Sequence, residues 1–431
     1  MHNTKDTLVT SFALFSLFFG AGNLILPPLL GFQSGNYWWL VALGFAMSAV
    51  LVPILGILAH AKIQGTIYDF GKKVSPNFSL IYSLLIYVIS LSLPSPRTAA
   101  VTHEIAIQPF FNSSALLSSV VYFSLVFIFA INRSKLLDIL GKFLTPAIIL
   151  ILVLIIVTSL FTLDFNFGAT EITSPFSHGI LEGYQTFDAI GAVVVGGVII
   201  VSINLKSNAS FKDKKTLVRN AGWLAGLSLF IIYTGLILSG ALNHNNFELN
   251  ITRIELLSGI SKQSLGNNAN IFLSILVSLA CFTTAVGIVT GSSDFMKDRL
   301  PKYKHAYLLT AIVGCLLGIA IGQFNVAYII TVAFPALMFI YPITIILILL
   351  NVIPEKWASP MVFRAVVITT VIFSIPDFLG SLGNWAPKKE VFDWIPFSAY
   401  QLGWVLPALL AFVITNFVVT NKAKKGSNIR Y

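Results

Sequence analysis

Four groups of residues in this chain have the types and spacing for chemistry, and all four stand in apolar surroundings. The first is Gly20-Ala21-Gly22-Asn23, inside an apolar run that closes at Pro27-Pro28. Glycine tolerates non-helical backbone angles and proline removes a donor. Lipid offers amides no partner, so an interruption of this kind at membrane depth belongs to an enclosed site. An unwound middle exposes amides at the start of one half-helix, suited to a carboxylate, and carbonyls at the end of the other, suited to a cation. Gly20 and Gly22 as close-packing residues of an intact helix is the competing reading. The adjacent asparagine and the paired prolines favour the break.

The second group is Gly183-Tyr184-Gln185-Thr186-Phe187-Asp188-Ala189-Ile190-Gly191. An acidic residue in an apolar span is functional by default. The Asp188 carboxylate can orient an unwound region, pair with a substrate ammonium or take a coupling proton; the residues do not choose among these. Because Asp188 follows the start of its run closely, a solvated helix cap near the outer interface is the alternative.

In the third group Ala280, Thr284, Gly287 and Gly291 fall on one small-residue helical face, with Thr283 beside it. Neutral hydroxyl oxygens suit a monovalent cation whose shell is completed by carbonyls of the first span. The bland reading is that both threonines bond back to carbonyls one turn earlier. The fourth group is Pro94-Ser95-Pro96-Arg97-Thr98, which breaks or ends its span. Arg97 faces a water-filled vestibule or snorkels to the headgroups. His103 and Glu104 adjoin this break and are expected at the surface. The histidines are scattered, and no paired acids or metal-ligand motif lies in the apolar runs, which argues against an intramembrane enzyme.

The elements that must position these groups are membrane helices. With 56% hydrophobic and 10% charged residues among 431, the chain cannot coat a water-soluble globule. The mean hydropathy of +0.86 agrees. Hydrophobic lengths give an all-α integral membrane protein of about twelve transmembrane helices. Their expected limits are 8–30, 37–59, 77–95, 114–131, 143–162, 184–204, 220–241, 268–291, 306–323, 325–350, 361–377 and 400–420. The first is read as a retained helix, not a signal peptide.

The net charge of +10 follows topology better than polyanion binding, so no nucleic-acid partner is expected. With a cytoplasmic amino terminus, about 22 of the 27 basic residues fall in inner segments, among them Lys62, Lys72, Lys73, Arg133, Lys135, Lys142, Lys297, Arg299 and Arg430. Arg253, Lys262, Lys388 and Lys389 fall outside. Trp38, Trp39, Trp385 and Trp394 lie near the outer boundary, as interfacial aromatics do. Cys281 and Cys315 read as small buried hydrophobes. Spans one to five (8–162) and six to ten (184–350) overlay in opposite orientation, which pairs the two interrupted spans, one and six. The last two spans (361–420) would be additions to this single transmembrane domain.

The segment from Phe12 to Gly35 resembles the branched-chain amino acid carrier family called LIVCS, whose bacterial members import leucine, isoleucine and valine. Pro96-Arg97-Thr98-Ala99, Gly183-Tyr184-Gln185-Thr186 followed by Asp188-Ala189, and Leu279-Ala280-Cys281 with Thr283-Thr284-Ala285 extend the likeness over nearly the whole chain. The resemblance implies the five-plus-five inverted-repeat fold of the leucine transporter type in a bacterial cytoplasmic membrane; the bias of basic residues places both termini in the cytoplasm. It implies a sodium site from backbone oxygens near Ser16 and Phe19, the Ala280 carbonyl and the Thr283 and Thr284 hydroxyls. Ala21, Gly22 and Asn23 would line the substrate, or a nearby ion, opposite an unwound stretch of span six around Phe187 to Gly191.

The function expected is cation-coupled import of branched-chain amino acids, with sodium as coupling ion and a proton as the alternative. No other cofactor is expected. A related carrier for another amino acid or a nucleobase is the competing assignment, since fold does not define cargo.

Overall fold

The computed structural model describes residues 4–132, 142, 144–170, 172–206, 210–383 and 392–427. Arg133, Lys135, Trp385, Lys388, Lys389, Arg430 and the first residue of the expected fifth span lie outside them. Among the described residues the chain is helical, with no strand. Eight helical stretches are long and apolar enough to cross a membrane, and three apolar helices are shorter.

The first expected span is two helices, α1 (Thr4–Phe18) and α2 (Ala21–Ser34). Its break is narrow. Phe19 N still donates to Phe15 O at 2.8 Å, Gly20 is extended (φ −116°, ψ −161°), and Gly20 N donates to Asn23 Oδ1 at 3.2 Å. The asparagine thus caps the helix it begins. Pro27 and Pro28 do not close the run; they lie inside α2, which continues to Ser34.

Next come α3 (Trp38–Ala46) and α4 (Val52–Ile63), joined by a π-helical turn at Met47–Leu51, then the short α5 (Ile67–Gly71). The third span divides at Leu93 into α6 (Pro76–Ser92) and α7 (Pro94–Val101). Pro94, the first residue of α7, has no N–H to donate to the Ser90 carbonyl one turn back in α6, and the chain turns there. The helices α8 (Ala115–Ile131) and α9 (Thr145–Thr162) follow.

The sixth span also comes in two pieces, α10 (Pro175–Tyr184) and α11 (Asp188–Lys206). This moves two expectations. The helix begins near Pro175, not at 184, so Asp188 stands mid-span and is 2% exposed, not a solvated cap. The unwound residues are 185–187, and Gly191 lies within regular α11. Phe187 takes a left-handed conformation (φ +64°), uncommon for any residue but glycine and strained for a bulky one.

The remaining helices are α12 (Phe211–Leu242), the capped α13 (Arg253–Leu265), α14 (Ala269–Arg299), α15 (Ala306–Gly322), α16 (Val326–Val352), α17 (Pro360–Gly380) and α18 (Val405–Ser427). Large apolar side chains such as Ile81, Leu150, Phe161 and Phe417 face outward, as hydrocarbon surroundings require. His103 and Glu104 are not surface groups. His103 Nδ1 meets Ser118 Oγ at 2.9 Å, and Glu104 Oε1 accepts Val326 N at 2.9 Å, capping α16. Cys281 and Cys315 are buried and free.

Candidate functional site

The two breaks meet. Around them closes a small cavity of about 30 Å³, lined on its polar side by Asn23, Arg97, Thr98, Thr186 and Asp188. Phe18, Ile190, Gly191, Val194 and Ile288 form its apolar side. Asn23 sits in the first turn of α2 because its carbonyl caps Gly20. Its amide nitrogen is therefore turned toward α11, where it donates to Asp188 Oδ2 at 2.7 Å and also to the Tyr233 hydroxyl of α12. Tyr233 Oη donates to the same Asp188 oxygen at 3.0 Å. One carboxylate thereby ties both discontinuous spans to α12. At low dielectric such a network is stiff when every member is matched.

The span-six break is held by its neighbours. Thr186 Oγ1 donates to Gly183 O at 2.7 Å and accepts Asp188 N at 3.2 Å. Tyr341 of α16 accepts Ala189 N at 3.0 Å and stacks on Tyr184, ring centroids 4.3 Å apart. Arg97 Nη1 donates to Gln185 O at 2.8 Å, and its guanidinium lies 5.1 Å from the Phe187 ring centroid. These contacts offset the cost of the left-handed Phe187. Outside them, Gln185 Nε2 donates to Glu182 Oε1 at 2.8 Å, and Glu182 pairs with Arg253 of α13 at 3.3 Å.

The threonine pair of α14 faces the end of α1. Thr283 Oγ1 lies 2.8 Å from Ser16 O and 3.0 Å from Ala280 O. Thr284 Oγ1 lies 3.4 Å from Leu17 O and 3.2 Å from Ala280 O. Back-bonding one turn earlier and cross-bonding to α1 therefore occur together. Three carbonyls and two hydroxyls converge without any ionised group. The oxygen opposite Thr284 is Leu17's, not Phe19's; the Phe19 ring is instead stacked on Phe15 and Tyr233. Ser16 Oγ is buried without a hydrogen-bond partner.

The structure thus brings Ser16, Ala21, Gly22, Asn23, Phe187, Asp188, Gly191, Ala280, Thr283 and Thr284 to one region. Sequence reasoning missed Leu17, Tyr233 and Tyr341. A tyrosine in an apolar run reads as packing, and a backbone carbonyl carries no residue signal. Among the described residues no group of three or more His, Cys, Asp or Glu could hold a metal ion.

A family model described as "Branched-chain amino acid transport protein" matches residues 3–422. The chain belongs to that family. It is 33% identical over 434 residues to the branched-chain amino acid permease BraB of Bacillus subtilis, covering 97% of each chain. It is 31% identical over 422 residues to the branched-chain amino acid transport system 2 carrier protein of Pseudomonas aeruginosa, covering 95% of each. The permease BrnQ of Corynebacterium glutamicum is 31% identical over 430 residues, covering 97% of this chain and 96% of that one.

Solved structures place the fold of this family member among the leucine-transporter-like carriers. A Na+-coupled sialic acid symporter superposes with TM-score 0.59 at 13% identity, over 96% of this chain and 90% of that one. Inward-facing Mhp1 gives 0.57 at 14%, over 96% and 91%. MhsT with L-phenylalanine gives 0.51 at 17%, over 95% and 97%. The family member is thus an integral, multi-pass membrane transport protein and not an enzyme.

Proposed function

We propose that this chain is a secondary carrier that imports leucine, isoleucine and valine by alternating access, driven by a monovalent cation bound between α1 and α14. One observation carries the reading: the cavity between the two broken helices is charged at one end and aliphatic at the other. A branched-chain amino acid must hide both backbone charges and a hydrocarbon side chain at membrane depth. Each buried methylene gains about 0.8 kcal/mol, whereas unpaired charges cost far more. Asn23, Asp188 and the ends of α2 and α10 meet the charges; Phe18, Ile190, Val194 and Ile288 meet the side chain. The names of the relatives supply the cargo.

A cavity of about 30 Å³ holds a few waters and no leucine. Binding therefore requires the two broken spans to part, the kind of step that alternating access uses. Toward the face that bears Lys297 and Lys302, a recess of about 360 Å³ reaches Val194, which also lines the cavity. On the other face the Tyr184–Tyr341 stack and the Glu182–Arg253 pair lie over it. We read the basic face as cytoplasmic, with both termini there, and Val194 as the door through which substrate leaves. The twelve-span, five-plus-five arrangement (8–162 and 184–350, with 361–420 added) in a bacterial cytoplasmic membrane belongs to the same reading.

Sodium is the coupling ion this site suits, because its oxygens are neutral and hard. The second reading is proton coupling through Asp188, favoured by its being the one acid lining the cavity among the described residues. Uptake of labelled leucine into proteoliposomes under separately imposed sodium and proton gradients decides between them. Competition by isoleucine and valine but not alanine or uracil is expected. Failure of the branched-chain amino acids to compete would reject the assignment.

A further inference from the structure

We propose that Arg97 is the residue that binds the substrate's carboxylate, dividing the cavity into an anion corner at Arg97 and a cation corner at Asp188. The inference rests on the amino acid carrier reading and names the recognition chemistry of that same site.

Arg97 is 3% exposed, yet among the described residues its side chain makes a single hydrogen bond, from Nη1 to Gln185 O. Its Nε is buried with no partner. Five fixed donors with one acceptor used is a costly arrangement for a buried cation, and such charges persist when paired. Among the described residues no carboxylate lies within ion-pair distance of it. Of the two acids nearby, Asp188 already accepts from Asn23 and Tyr233, and Glu182 pairs with Arg253. The guanidinium is held in place without being satisfied: Phe187 packs on its face, and the start of α7 fixes its backbone.

Its position is as telling as its unmet donors. Nη2 is the atom a side chain at Gly22 would strike first, so the guanidinium lies directly on the first turn of α2. That turn carries amides with no intrahelical partner and the positive end of a helix dipole. A guanidinium and a helix amino terminus side by side repel one another and share one ligand, an anion. A carboxylate entering between them makes charge-assisted hydrogen bonds to the first and caps the second. The ammonium on the same α-carbon is then left facing Asp188, and the side chain runs toward Ile190 and Val194. Glycine at 22 is required by this close approach.

The test is competition against labelled leucine uptake in proteoliposomes by leucine, leucinamide and 3-methylbutylamine, with ligand-induced shifts in thermal unfolding of the purified protein as a second readout. In the wild type leucine should outcompete the two carboxylate-free amines by about 10- to 150-fold, the worth of a charge-assisted hydrogen bond. Arg97→Gln should weaken leucine to the level of leucinamide and leave leucinamide unchanged. If leucine and leucinamide weaken together, or leucine is unaffected, the assignment is overturned. Arg97→Lys, which keeps the charge without the fork, should lose part of the preference for leucine. It supplies the same test if Arg97→Gln has no cooperative unfolding transition, with equal weakening of both ligands again refuting the proposal. A wild type that neither transports leucine nor is stabilised by it would instead remove the carrier reading.

Discussion

The contact between the first break and α14 can be loaded by a single methyl group. A Cβ added at Gly20 would lie 2.7 Å from Thr284 Oγ1, 3.1 Å from its Cγ2 and 3.2 Å from its Cβ. Ordinary contact begins near 3.4 Å, so Gly20→Ala must push α14 away from the break by about 0.7 Å or turn the threonine. Gly20 is extended, not left-handed, so alanine meets no backbone penalty and the whole effect is steric. Overpacking of this kind costs about 1–3 kcal/mol. If the strain falls on the Thr284–Leu17 and Thr284–Ala280 contacts, the sodium concentration for half-maximal leucine uptake should rise by roughly 5- to 150-fold. The decisive comparison is the double variant. Thr284→Ala removes both Oγ1 and Cγ2, so Gly20→Ala added to it meets little, and the pair should behave like Thr284→Ala alone. The assay is sodium-dependent uptake in proteoliposomes, with thermal unfolding of each variant as the control for folding. Additive losses from the two substitutions would refute the argument, since neighbours in one contact are expected to be non-additive.

Other consequences are as direct. Combining Thr283→Ala with Thr284→Ala should abolish sodium stimulation of uptake; equal stimulation of this variant and the wild type would remove the ion site. Tyr233→Phe deletes one donor to Asp188 while keeping the ring against Phe19 and Phe45, and should weaken leucine uptake by about 2- to 12-fold with little change in unfolding temperature. Gly191→Ala would place a methyl 3.7 Å from the Phe18 ring without a clash, shrinking the aliphatic end. Leucine affinity should then fall by roughly 4-fold, one methylene's worth, in a competition assay in which valine, one methylene shorter, loses less. Val201→Trp, in the recess and not in the cavity lining, should retain leucine-induced thermal stabilisation and lose uptake, whereas normal uptake would move the exit elsewhere.

The first break was legible because Gly20, Gly22 and Asn23 announce it, and the threonine pair because Ala280, Thr283 and Thr284 share a face. The second break was misplaced by a few residues for a physical reason. Gln185-Thr186-Phe187 contains no glycine, so the signal pointed to Gly191. Yet the left-handed turn at Phe187 is held by Arg97 and Tyr341 from distant parts of the chain, with Thr186 supporting it locally. The helix before it, Pro175–Tyr184, is less apolar than its continuation and did not read as part of a span. Pro27 and Pro28 misled in the other direction: tertiary packing carries α2 past them. Arg97 was visible as an oddity, but only its missing partners make it a candidate for recognition.

Two pairs of glycines decide which parts of this machine travel together. A Cβ at Gly31 of α2 would run into the Ile237 carbonyl of α12, and one at Gly240 into the Pro28 carbonyl of α2. Gly44 of α3 and Gly179 of α10 press backbone to backbone in the same manner, against Phe176 and Val41. Helices this close have no side-chain cushion between them and cannot slide without collision. Each couple is therefore a stiff strut, one holding the second half of span one, α2, and the other the first half of span six, α10. Flexing is left to the joints at 19–20 and 185–187, which border the cavity, so whatever occupies it bears on the hinges themselves.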